Sequence, residues 1–217
     1  MCDVYDYGEI YFSWGNVSTK DEEYLKKEQL FKDIERKVVS KTDDINMSTM
    51  KTNNGETQKP ERVSIRIIKD ILDDMGLIYE CAGSQQSKDF RNVRRPGSNV
   101  LINIEIKKTD NTIVYFNDTC PSIDIFYIIM FTGKEFKTKQ NMPPKIIFIN
   151  GYELLKDDEG LINMYKCVME NIKNEWGRKK NGGYAKEFKR MSVYPRPTYK
   201  ADISDLLSQL ISPSTII

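Results

Sequence analysis

The sequence predicts an α/β sandwich, a mixed sheet of about five strands flanked by helices. Two observations carry that expectation. Apolar residues recur at helical spacing towards both ends of the chain, and the stretch from about 77 to 149 is a series of short β-branched or apolar runs separated by turn residues. The order of helix, helix, strand-rich centre and helices suits a sheet of ordinary size. With 217 residues the chain can bury a substantial core as a single domain over 1–217. Its core lies at about 61–176, with an N-terminal helical arm over 1–59 and a C-terminal extension over 177–217.

Residues 1–18 are rich in Tyr, Gly and Asp, with Tyr5, Tyr7, Tyr11, Phe12 and Trp14, and read as a short strand or an arm laid on the body. Thr19 followed by Glu22 suits a capping box, and Tyr24, Leu25, Phe31, Ile34 and Val38 mark an amphipathic helix to about Ser40. Residues 41–59 are polar with few anchors and read as a long loop or linker. Pro60 then opens a helix carrying Val63, Ile67, Ile68, Ile71, Leu72 and Met75, which Gly76 stops.

A short strand over 77–81 and a turn over 83–88 lead to two strands, 89–93 and 99–107, around the break at Pro96-Gly97. A turn at Thr109-Asp110-Asn111 leads to 112–116, a further strand in antiparallel register. Apolar runs over 123–131 and 145–149 add two strands. Helices follow near 152–156 and over 158–176, the second with Leu161, Met164, Tyr165, Val168, Met169 and Ile172 on one stripe. A Pro-punctuated extended piece over 194–199 and a short helix over 202–211 close the chain, and no internal repeat is present.

Composition removes several classes of function. Hydrophobic content of 39% and charged content of 30% describe a globular chain rather than a disordered one. No run approaches the roughly 18 apolar residues of a membrane span, and the start, Met1-Cys2-Asp3-Val4-Tyr5-Asp6, lacks the regions of a signal peptide. An intracellular protein without a membrane partner is expected. His is absent, and Cys2, Cys81, Cys120 and Cys167 form no close pair. These facts argue against a structural zinc site and exclude Ser/His/Asp and Cys/His catalysis. General-base work must fall to a carboxylate, a lysine or a water on a metal. Lys and Arg number 33 against 32 Asp and Glu, so affinity for phosphate has to come from local clusters. Lys88, Arg91, Arg94 and Arg95 form one, and Arg178, Lys179, Lys180, Lys186, Lys189 and Arg190 another; either also reads as a solvated face.

The most informative stretch is the apolar run ending in Glu105-Ile106-Lys107. A strand of this composition is buried on both faces and should not carry Glu105 and Lys107 without a reason. The two are two residues apart and so share a face. With Asp89 on the neighbouring strand or its edge, two carboxylates and an amine meet where a hard divalent cation, a water and a phosphate could sit. The competing reading makes Asn103, Glu105 and Lys107 the exposed face of an edge strand, opposite Ile102, Ile104 and Ile106, with Asp89 an ordinary turn residue.

Asp89, a spacer and Glu105-Ile106-Lys107 after an apolar run resemble the PD-(D/E)-x-K nuclease motif, with Lys88 standing where the motif's name has Pro. Gly83-Ser84-Gln85-Gln86-Ser87-Lys88-Asp89-Phe90-Arg91 resembles the glycine-polar loop that enters the first catalytic strand of many type II restriction endonucleases. Phe116-Asn117-Asp118-Thr119-Cys120-Pro121 and the apolar run after it resemble a segment such enzymes place beyond the catalytic hairpin. The resemblance covers roughly 61–150, with a weaker echo at Tyr194-Pro195-Arg196-Pro197-Thr198-Tyr199.

The resemblance implies a restriction-endonuclease-like sandwich that cleaves double-stranded DNA at a short specific sequence, in a cytoplasmic protein of bacterial or viral origin. Asp89, Glu105 and the carbonyl of Ile106 would hold Mg²⁺, and Lys107 would sit beside the attacking water and the phosphate. Glu61 and Glu80 are auxiliary acidic candidates, although Glu61 equally suits a helix N-terminus and Glu80 a surface. Ser84, Gln85, Gln86, Lys88, Arg91, Arg94, Asn117 and Arg196 are candidates for touching DNA; Gln can pair with adenine edges, and a polar loop also carries such residues by default. Symmetric cutting of two strands implies a homodimer, and the resemblance alone implies a matched methyltransferase. Two alternatives remain at this point: a structure-directed or nicking nuclease, and a non-catalytic DNA-binding module that keeps the fold.

Overall fold

The computed structural model describes residues 18–41, 58–81, 88–117, 120–133, 144–155, 158–176 and 198–209. Along the chain these form α1 (Ser18–Ser40), α2 (Gln58–Asp74), β1 (Ile78–Cys81), β2 (Phe90–Arg94), β3 (Ile102–Thr109), β4 (Ile113–Asn117) and β5 (Ile125–Phe131). β6 (Lys145–Asn150), α3 (Gly151–Leu155), α4 (Glu159–Trp176), β7 (Thr198–Asp202) and α5 (Ser204–Gln209) follow. The expected mixed five-stranded sheet is present, in the order β1-β2-β3-β5-β6. Its strands are antiparallel except for β3 and β5, which run parallel from Asn103 opposite Ile125 to Thr109 opposite Phe131.

Alternation along the two central strands builds two cores. Ile102, Ile104 and Ile106 of β3 join Phe126, Ile128 and Met130 of β5 on the face covered by α1 and α2. Ile125, Tyr127, Ile129 and Phe131 of β5 point the other way, into a cluster with Val114 and Phe116 of β4, Ile203, and Leu207 of α5. Every residue of β5 is buried, which is why its sequence is continuously apolar rather than alternating. Among the described residues no helix is long and apolar enough to cross a membrane.

Leu30, Phe31, Ile34 and Val38, on one stripe of helix α1, are buried among the core residues. Glu22–Lys26 and Glu23–Lys27 ion pairs, each at 2.7 Å, occupy its solvent side. Helix α2 ends as its sequence requires. Gly76 takes φ 65°, and the N–H groups of Leu77 and Gly76 return to the carbonyls of Leu72 and Asp73 at 3.0 and 2.9 Å, the double closure that a left-handed residue permits.

The fold corrects one expectation and removes one competing reading. The segment after the turn at Thr109 does not fold back on β3, because that side of β3 is occupied by β5. β4 instead crosses to the second core and pairs antiparallel with β7, Ile113 opposite Asp202 and Phe116 opposite Tyr199, as a separate two-stranded sheet. β3 is also no exposed edge strand: β2 and β5 flank it, and Glu105 is 5% exposed. The apolar stripe of α4 is partly open. Leu161, Met164, Tyr165 and Val168 are exposed along a groove of about 820 Å³ whose other wall includes Phe116 and Tyr199.

The junction of β6 and α3 is tight. The Asn150 side chain accepts a hydrogen bond from the Glu153 N–H at 2.7 Å, capping α3, and donates to Glu28 of α1 at 3.2 Å. A Cβ on Gly151 would lie 1.9 Å from the carbonyl oxygen of Ser122. Gly151→Ala is therefore expected to destabilise the fold by about 1–3 kcal/mol or more, because backbone rather than a side chain must yield. Thermal denaturation should show a loss of several degrees for a chain of this size, and an unchanged melting temperature would contradict the close approach.

Candidate active site

The site forms where β2 begins and β3 is most buried. β2 carries one extra residue relative to β3: Phe90 pairs with Ile104 and Val93 with Ile102, a bulge that lets Phe90 and Val93 both face the α1/α2 core. Asn92 takes up the bulge with φ 52°, a conformation Asn tolerates better than most residues. Its N–H donates to the Asn103 side chain at 3.3 Å, and its own amide donates to Glu80 at 3.1 Å.

Asp89 directly precedes Phe90 and is half-buried. Its Oδ2 accepts a hydrogen bond from the Ile106 N–H at 2.6 Å, which ties the first acidic residue to the backbone between Glu105 and Lys107. In an extended strand the N–H and C=O of one residue leave from the same edge. The Ile106 carbonyl therefore projects to the Asp89 side of β3, while the Ile106 side chain is buried in the opposite core.

Glu105 and Lys107 share the other face of β3, as their spacing requires. Lys107 Nζ lies 2.5 Å from Glu105 Oε1 and 5.2 Å from the centroid of the Phe116 ring. Burial pushes the Glu105 carboxyl up, against the opposing pull of Lys107 and a smaller one from Lys88. Tyr127 is opposite Glu105 in the β3–β5 register and fully buried, and its hydroxyl accepts the Ser122 N–H at 2.9 Å. Burial raises its phenol, the Ser122 bond opposes this, and the Glu105 charge raises it further, so Tyr127 stays neutral beside the carboxylate.

The structure thus brings Asp89, Glu105, Ile106 and Lys107 together, with Lys88 close enough to act on Glu105. Glu80 is exposed on the edge strand and bonded to Asn92, two strands from Glu105. Among the described residues no three of His, Cys, Asp or Glu form a ligand cluster. Arg91 and Arg94 are half-buried on β2, and Arg91 Nε is enclosed without a hydrogen-bond partner among the described residues. Arg95 pairs with Asp33 of α1. Ser84, Gln85, Gln86 and Arg196 lie outside the described residues, as do the side chains of Glu61 in α2 and Asn117 in β4.

Phe116 and Tyr127 line the site and were not singled out by sequence. Both sit in apolar runs whose composition reads only as core, and the face each side chain takes depends on β4 leaving the sheet. Comparison of the chain with protein-family models, with curated proteins and with solved structures finds no match.

Proposed function

We propose that the protein is a Mg²⁺-dependent endonuclease of restriction-endonuclease-like fold, hydrolysing double-stranded DNA at a short specific sequence. The observation that carries the reading is Glu105, a carboxylate 5% exposed on a central strand, paired with Lys107 and one residue from the backbone group that holds Asp89. A carboxylate in such a place costs stability even when paired, so its presence asks for a chemical use. The donors suit the ion, since Mg²⁺ takes oxygen ligands through one or two carboxylates and keeps several waters. Asp89, Glu105 and the Ile106 carbonyl would hold it. When bound, the ion supplies positive charge at the scissile phosphate and acidity to the attacking water.

The chain's own groups do the rest. The Ile106 N–H fixes Asp89 against the backbone of β3 between Glu105 and Lys107 before any substrate arrives. The Lys107 ammonium orients the attacking water and offsets charge that develops on the phosphate. Arg91 and Arg94 belong to β2 and Lys88 precedes it, and contacts from these side chains to phosphates would set the register of the duplex. One site per chain cuts one strand, and a second copy related by a two-fold axis would cut the other.

Incubating the purified protein with a sequenced plasmid and Mg²⁺, and mapping the fragment ends, tests the proposal. Discrete double-strand ends at one short sequence support it. Open circles, or cuts confined to branched DNA, favour a structure-directed or nicking nuclease, and absence of hydrolysis on any DNA leaves a non-catalytic module. Asp89→Asn should lower cleavage by more than about a hundredfold, beyond the loss expected of a residue that only supports a metal ligand. The Asn oxygen can still accept the Ile106 N–H, so the melting temperature should stay near that of the wild type. A fully active Asp89→Asn protein would remove Asp89 from the site.

A further inference from the structure

Phe116 lies beside Lys107 on a strand that the central sheet does not use. Its ring is fully buried and meets Tyr127 edge-on, with centroids 5.5 Å apart and planes at 89°. Tyr127 is itself fixed by the Ser122 N–H and faces Glu105 across β3 and β5. Pairing of β4 with β7 places Phe116 opposite Tyr199, so the ring is held from two sides before any substrate arrives.

Lysine carries its charge on a flexible four-carbon stem and needs external anchors to hold one position. Glu105 is one such anchor, but a cation drawing on the Glu105 oxygens competes with Lys107 for the same lone pairs. An aromatic face is an anchor of a different kind. It attracts an ammonium through the ring quadrupole, consumes no N–H donor and offers no oxygen to a cation.

We propose that Phe116 is a positioning residue for Lys107, its ring holding the ammonium in place when Glu105 turns to the metal and leaving the ammonium donors for the water and the phosphate. The role rests on the nuclease reading above. It also makes the small β4–β7 sheet, of which β7 is remote from the acidic residues in sequence, part of what keeps the site competent.

The electrostatic role of the ring separates from its bulk. Mono-, di- and trifluorinated phenylalanine at position 116 withdraw charge from the ring face stepwise at nearly constant volume. Turnover of DNA should fall stepwise to about a tenth of the wild-type kcat, with KM and melting temperature unchanged. Phe116→Leu, apolar but without a ring, should fall at least as far. In NMR the ε-methylene protons of Lys107 should be shifted upfield by the ring and return to their ordinary position in Phe116→Leu, a readout that needs no turnover. A cleaving enzyme whose kcat is flat across the fluorinated series overturns the inference and leaves the nuclease reading standing. Absence of the upfield shift overturns the ring contact. A wild-type protein that cleaves no DNA overturns the nuclease reading and the positioning role with it.

Discussion

Glu105→Gln is expected to abolish DNA cleavage while making the protein relatively more stable as pH rises. The loss of activity should be roughly a thousandfold or more, because a metal's charge stabilisation is worth several kcal/mol and each 1.4 kcal/mol is about tenfold in rate. Gln keeps the shape and one oxygen, but not the charge that would hold the ion. Stability moves differently. Burial raises the Glu105 carboxyl above its ordinary 4.5, more than Lys107 and Lys88 pull it down. A carboxyl that binds its proton more tightly in the folded state gives the native protein more bound protons than the unfolded chain. Its contribution to stability is then fully present below the unfolded value and is lost as pH climbs through the folded one. Gln has no such loss.

Lys107 keeps the Phe116 ring but loses its carboxylate partner in the variant. The pull of that pair is already contained in the net upward shift of the Glu105 carboxyl, in which burial outweighs Lys107. The difference in melting temperature between Glu105→Gln and wild type should therefore widen in favour of the variant as pH rises from below 4.5, while cleavage stays absent throughout. Thermal melts of the two proteins over that range test the burial, and a plasmid assay tests the chemistry. Wild-type cleavage by the variant would end the assignment of Glu105.

The parts of this architecture that were legible in sequence are those set by short-range pattern. Glu105 and Lys107 share a face because the strand period is two, and the apolar run before them announced a buried strand. Gly76 marked the end of α2 because a left-handed residue was needed there. Partner choice was not legible. Residues 113–116 have the same alternation whether they pair with β3 or with β7, and nothing local distinguishes a hairpin from a crossover. β7 was hidden for a related reason, since Tyr199 to Asp202 reads as the end of a Pro-rich segment and the start of a helix until β4 provides a partner. The bulge at Asn92 depends on a positive φ that Asn permits but does not demand. The ring under Lys107 follows from all of these together, so no single stretch of sequence could point to Phe116.

Replacing Lys107 by Met should separate catalysis from metal binding in opposite directions. Met retains most of the apolar stem and can still pack on Phe116, so the fold should survive. Turnover should fall by about a hundredfold or more, the scale for removing one preorganised charge or donor from a developing transition state. DNA affinity should change little, because one half-buried ammonium would be a small part of the proposed phosphate-binding surface. The affinity for Mg²⁺ should rise. In the wild type a cation at Glu105 would have to share the carboxylate with an ammonium 2.5 Å away and approach against its charge. Removing that ammonium relieves both costs, by roughly tenfold if one charge-assisted hydrogen bond to Glu105 is exchanged for a metal ligand. The opposing effect is protonation, because without Lys107 burial raises the carboxyl further and a proton competes with the ion. Calorimetric titration at mildly alkaline pH, which favours the ionised carboxylate, isolates the electrostatic gain, and the same titration under acidic conditions should reverse its sign. Tighter Mg²⁺ binding with lost turnover places Lys107 against the metal site as a catalytic group. Weaker binding at alkaline pH would mean that Lys107 helps to build the ion's cage, and the division of labour between Glu105 and Lys107 would have to be redrawn.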